Sequence, residues 1–125
     1  MTIHYTFTSE DDLLLVKASG ANEALDDVKQ YGLAVIEAAR IGHHTRVLCD
    51  ETELVYGLNT IETFQSAEFM ASQAPRLARV AILCDPKFTE DARFWETVAV
   101  NRGLTVRFFR DRDMARHWLN EQPPT

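Results

Sequence analysis

Short apolar runs alternate along the chain with longer stretches whose apolar residues recur every three or four positions. The run Thr45-Arg46-Val47-Leu48-Cys49-Asp50 is hydrophobic and closes on an acidic residue. It predicts a central strand that delivers the chain into a polar loop over 50–59. Upstream, Ile3, Tyr5 and Phe7 alternate with polar residues, as in a half-buried edge strand, and Leu13–Val16 reads as a more buried one. The polar turn Ser9-Glu10-Asp11-Asp12 between them suggests a hairpin. A helix should then run from about Asn22 to Arg40, with Asn22 as N-cap and Asp26 and Asp27 in the first turn, where the helix dipole favours acids. Its inward stripe is Leu25, Val28, Gly32, Val35, Ile36 and Ala39, and Gly42 is placed to end it.

Beyond the central strand, Asn59-Thr60-Ile61-Glu62 has capping-box spacing and opens a second helix, which Pro75 should terminate. Arg79–Cys84 reads as a strand closed by Asp85-Pro86. A third helix covers Thr89–Arg102 with Thr89 as its cap. Leu104–Phe109 is the last strand, and Asp111 caps a final helix over Arg112–Glu121. The order ββαβαβαβα is that of an α/β fold, with helices laid over a mostly parallel sheet. Its polar loops gather at the C-terminal strand ends, where ligands of open α/β sheets usually bind.

Composition narrows the function. At 125 residues the chain is expected to form one domain, 1–125. A net charge of −6 argues against a general nucleic-acid binder. No run approaches the roughly 18 apolar residues of a spanning helix, so integral membrane association is not expected and a cytoplasmic location is. Cys49 and Cys84 belong to no CxxC pair and read as core thiols. His43 and His44 read as surface loop residues. No P-loop, dinucleotide fingerprint, nucleophile elbow or HExxH spacing occurs, so neither a catalytic set, a metal site nor a cofactor is expected.

Three candidate features remain at the strand ends. Asp50 and Asp85 both follow strands. As neighbours they would raise one another's pKa, as in acid–base or cation sites; otherwise they accept backbone hydrogen bonds in their loops. Arg110, beside the last helix N-terminus, could hold a small anion or pair with local carboxylates. The segment 51–58 mixes Glu51, Thr52 and Glu53 with Leu54, Tyr56 and Leu58; it could shape a pocket or a subunit contact, or tuck its apolar residues against the helices.

The segment Val106–Leu119, with its acidic turn, alanine and Trp-Leu pair, resembles the ending of SpoIIAA-like bacterial proteins of the STAS superfamily. Arg46–Asp50 looks like their central strand and Arg79–Ile82 like the strand that follows. The resemblance implies a STAS-like β/α superhelix with a mixed, mostly parallel five-stranded sheet and an antiparallel N-terminal strand. It also implies a non-enzymatic regulatory or protein-interaction domain that acts as a homodimer or with another protein. Related anti-sigma-factor antagonists are regulated by phosphorylation of a serine just after the central strand. Here the matching segment is Asp50-Glu51-Thr52-Glu53, which has no serine, and a phosphate on Thr52 would meet like charge. The interaction reading expects an exposed apolar patch at Leu54 and Tyr56. The alternative is a binder of a small lipid-like or anionic ligand at the C-terminal sheet edge, bounded by Asp50, Asp85 and Arg110.

Overall fold

The computed structural model of the protein describes residues 3–74 and 79–121. In chain order the elements are β1 (Ile3–Glu10), β2 (Leu13–Asn22), α1 (Leu25–Ile41), β3 (Arg46–Tyr56), α2 (Thr60–Gln73), β4 (Arg79–Cys84), a 3-10 turn (Pro86–Phe88), α3 (Thr89–Asn101), β5 (Val106–Phe109) and α4 (Arg112–Asn120). The strands lie side by side in the order β1-β2-β3-β4-β5. β1 is antiparallel to β2, and the other pairings are parallel. The mixed five-stranded sheet expected from the sequence is therefore present.

This strand order dictates the layers. Parallel crossovers share one hand, so helices linking successive neighbours fall on the same face. α1, α2 and α3 accordingly cover a front face with a core that includes Val16, Tyr31, Val35, Val47, Cys49, Leu54, Ala67, Ile82 and Ala99. α4 follows β5 onto the back, where Ala115 and Leu119 pack on Leu48, Ala81 and Leu83. β3 is thus packed on both faces over Val47–Cys49, which explains why it reads as a continuous apolar run.

Local signals locate most helix ends. Asn59 Oδ1 accepts from Glu62 N–H at 2.8 Å and Glu62 Oε1 from Asn59 N–H at 3.2 Å, a complete capping box. Asp111 Oδ1 accepts from Asp113 N–H at 2.7 Å at the start of α4. α2 ends at Gln73, and Pro75 lies outside the described residues.

Four expectations are corrected. The expected loop over 50–59 is strand as far as Tyr56, because β3 continues to pair with β2 after β4 has ended. Asn22 does not cap α1, which starts at Leu25; it ends β2, and its side-chain oxygen accepts from Gly57 N–H at 2.6 Å, tying the two strand ends together. Thr89 is the first residue of α3 rather than its cap; its hydroxyl donates to Pro86 O at 2.6 Å, and Asp85 opens the preceding turn by accepting from Lys87 N–H. His44 is buried rather than a surface residue, with Nε2 at 2.9 Å from Ser9 Oγ. Its ring occupies the space beside Gly42, where a Cβ would come within 2.2 Å of it. No described helix is long and apolar enough to cross a membrane.

Asn59→Ala, which removes a cap, should cost about 1 kcal/mol. Leu48→Ala, which opens a cavity between sheet and α4, should cost about 2–5 kcal/mol. Urea denaturation compares them, and equal losses would contradict the packing described.

Candidate functional site

Lys17 pairs with Asp50 and Ser19 with Glu53, so β3 carries an extra residue opposite Ala18. Such a bulge resets the alternation of side chains. Before it, Val47, Cys49 and Glu51 point to the helix-covered front. After it, Leu54 and Tyr56 do so, and Val55 faces out. Glu51 is thus carried into the protein by the ordinary alternation, and the bulge turns Leu54 and Tyr56 to the same side.

Glu51 as a whole is 7% exposed. Tyr31 of α1 donates to Oε2 at 2.8 Å, and Tyr56 donates to Oε1 at 2.6 Å. Burial raises the Glu51 pKa; the two phenols oppose this and nearby Asp50 adds to it, for a net value above the ordinary one. Burial beside this acid raises both tyrosines well above their usual range. It also raises Cys49, and it pushes Cys84 up to about 11, so both thiols are protonated and unreactive at neutral pH.

Glu51, Tyr31, Tyr56 and Cys49 form part of the wall of a cavity of about 130 Å³ between the front of the sheet and α1, α2 and α3. Its body is apolar, with Val35, Ile36, Met70, Val80 and Val106 among the lining residues. Gly32 makes the narrow approach of α1 to α2, since a Cβ there would meet the end of the Met70 side chain. Ser66 accepts from Trp95 Nε1–H at 3.1 Å across the same space.

The neighbouring residue faces the other way. Asp50 lies on the back of the sheet, where Oδ2 accepts from Lys17 at 3.3 Å and from Arg112 of α4 at 2.6 Å. Oδ1 accepts from the Thr52 amide at 3.1 Å and its hydroxyl at 2.6 Å. Burial alone would raise the Asp50 pKa, but the Thr52 donors and Lys17 hold it below the ordinary range.

The candidate residues therefore separate. Leu54 and Tyr56 line the cavity, whereas Asp50 and Thr52 form the clamp on the opposite face. Asp85 caps its turn through Lys87 N–H, and Arg110 donates to Thr89 Oγ1 at 3.3 Å. Among the described residues, no hydrogen bond or ion pair joins Asp50 to Asp85. The cavity lies under the helices and not at the tip bounded by Asp50, Asp85 and Arg110. The expected exposed patch is also displaced: Leu54 is 2% exposed and Tyr56 half-buried, both on the front face after the bulge. Of the groups around this carboxylate, Glu51 entered the candidates only as part of the segment 51–58, and Tyr31 did not enter them. A usable signal existed for the second: Tyr31 stands on the inward stripe of α1, and a buried phenol requires a hydrogen-bond partner.

A SpoIIAA-like family model matches residues 13–120. Among solved structures, an anti-sigma factor antagonist from Mycobacterium paratuberculosis superposes with a TM-score of 0.65 at 11% identity, covering 96% of each chain. An uncharacterised protein of the DUF3478 family with a SpoIIAA-like fold, from Shewanella loihica PV-4, superposes with a TM-score of 0.56 at 26% identity, covering 94% of each chain. No curated protein matches significantly.

Glu51 binds its proton more tightly in the folded than in the unfolded chain. Folding stability contributed by Glu51 is therefore full below the ordinary glutamate value of about 4.3 and lost as pH rises through the raised folded value. Glu51→Gln should lack this loss. Urea denaturation across that window, wild type against variant, measures the difference, and superimposable profiles would contradict the burial of an ionisable Glu51.

Proposed function

Because the chain belongs to the SpoIIAA-like family, we propose that it is a non-enzymatic regulatory domain, 1–125, that works by binding protein, either a second copy in a homodimer or another chain. The likeness in fold to an anti-sigma factor antagonist supports this reading. The observation that carries it is an apolar rim. Val55 is the penultimate residue of β3, Ile61 the second of α2 and Met114 the third of α4, so all three stand at the edge where parallel strands end and helices start. They are 48%, 69% and 62% exposed. Exposed apolar side chains along one edge, on both layers, fit an interaction surface better than a solvated one.

Control by a phosphoserine has no counterpart in Asp50-Glu51-Thr52-Glu53. The Thr52 hydroxyl already donates to Asp50, so a phosphate there would break that bond and face Asp50 and Glu53. The domain works in the cytoplasm, without nucleic acid or a membrane span.

A small-ligand carrier is the second reading, and the cavity at Glu51 favours it. In this reading the ligand sits beneath the helices, touching Leu54 and Tyr56, and not at Asp85 and Arg110.

Ile61→Asp and Val55→Asp should weaken dimerisation or partner binding by roughly tenfold or more while leaving the fold intact, as expected for interface residues. Sedimentation equilibrium and circular dichroism of wild type and variants check this. A monomeric wild type whose partner binding is untouched by both substitutions would sink the proposal.

A further inference from the structure

The wall of the front cavity has one sign of charge. Glu51 and the exposed Asp91 contribute carboxylates to it, and among the described lining residues there is no lysine, arginine or histidine. Glu51 is 7% exposed and is the one buried carboxylate among the described residues that line this largely apolar space. Its two partners are phenols, which donate hydrogen bonds but bring no countercharge. Each carboxylate oxygen receives one phenol donor, and each retains a lone pair for a further donor. A buried carboxylate with two neutral donors and no cation is electrostatically incomplete. Asp50 does not relieve it, being a second carboxylate whose own cations, Lys17 and Arg112, lie on the back face.

We propose that the cavity takes a small apolar amine, with the ammonium group held by Glu51 between Tyr31 and Tyr56; this rests on the ligand-carrier reading above. The ammonium supplies the missing charge, so the pair is neutral whichever partner holds the shared proton. Trp95, Phe108 and Tyr56 add aromatic surface to the wall, a suitable environment for an alkylammonium. The hydrocarbon part lies along Val35, Met70, Val80 and Val106. A cavity of about 150 Å³ admits benzene, so a space of about 130 Å³ suits a body of roughly five or six carbons. A carboxylate of the same size is disfavoured, because it would bring a second negative charge against Glu51. An alcohol can donate one hydrogen bond but leaves the charge unbalanced.

The test is a matched series of cyclohexylamine, cyclohexanol and cyclohexanecarboxylate, followed by calorimetry and by chemical-shift changes of the lining methyl groups. The amine should bind tightest and exceed the carboxylate by roughly tenfold or more, the least that a buried like-charge contact imposes. Glu51→Gln should abolish the preference for amine over alcohol. Tyr56→Phe, which keeps the carboxylate, should retain it. Retention of amine preference in a folded Glu51→Gln protein overturns the inference by assigning it to surface charge. Carboxylate binding that equals amine binding overturns the inference but leaves the cavity as a ligand site. Failure of all three to bind wild-type protein removes the ligand-carrier reading as well. Should Glu51→Gln not fold, the wild-type ranking and Tyr56→Phe decide between these outcomes.

Discussion

A strand in the middle of a two-faced sheet has to satisfy two different environments with alternate side chains, and β3 does so with an irregular step. Up to Cys49 the alternation is simple, with Leu48 to the back and its neighbours to the front. The extra residue after Asp50 shifts the phase by one. Without it, Val55 would face the helices while Leu54 and Tyr56 faced the back. The bulge thus turns Leu54 and Tyr56 to the side that Glu51 already faces, and the front layer is built over that choice.

The ordinary alternation just before this step gives adjacent acids opposite electrostatic fates. Asp50 gathers two cations and two Thr52 donors and is stabilised as an anion. Glu51, one residue on, meets two phenols in a low-dielectric space and holds its proton more firmly. Divergent proton affinity in two neighbouring carboxylates follows from which face each occupies. Asp50 becomes a structural fastener between β2, β3 and α4, and Glu51 becomes the polar feature of a cavity.

The periodicity of the sequence revealed most of the architecture, because the layers are set by features that periodicity encodes. The element order, the apolar run of the central strand and the caps at Asn59 and Asp111 all express short-range patterns. What was not legible depends on long-range pairing. Glu51-Thr52-Glu53 looks like a loop by composition, and its strand character comes from hydrogen bonds to β2. Asn22 looks like a helix cap, but Gly57, distant in sequence, occupies its side chain. Glu51 resembles a solvent-facing acid until Tyr31 and Tyr56 are brought to it. His44 follows the same logic: its burial depends on Ser9 and on the room left by Gly42.

The back layer rests on one element. The front helices lie between strands in the chain, so each is tied to the sheet at both ends. The back of β3 and β4 is covered by the segment 112–120, whose Ala115 and Leu119 pack on Leu48, Ala81 and Leu83. The Arg112–Asp50 bond that anchors this layer spans 62 positions. Cutting the domain before α4 would leave a finished front and a bare aliphatic strip behind it. The last described helix acts as a latch that closes the back of the sheet.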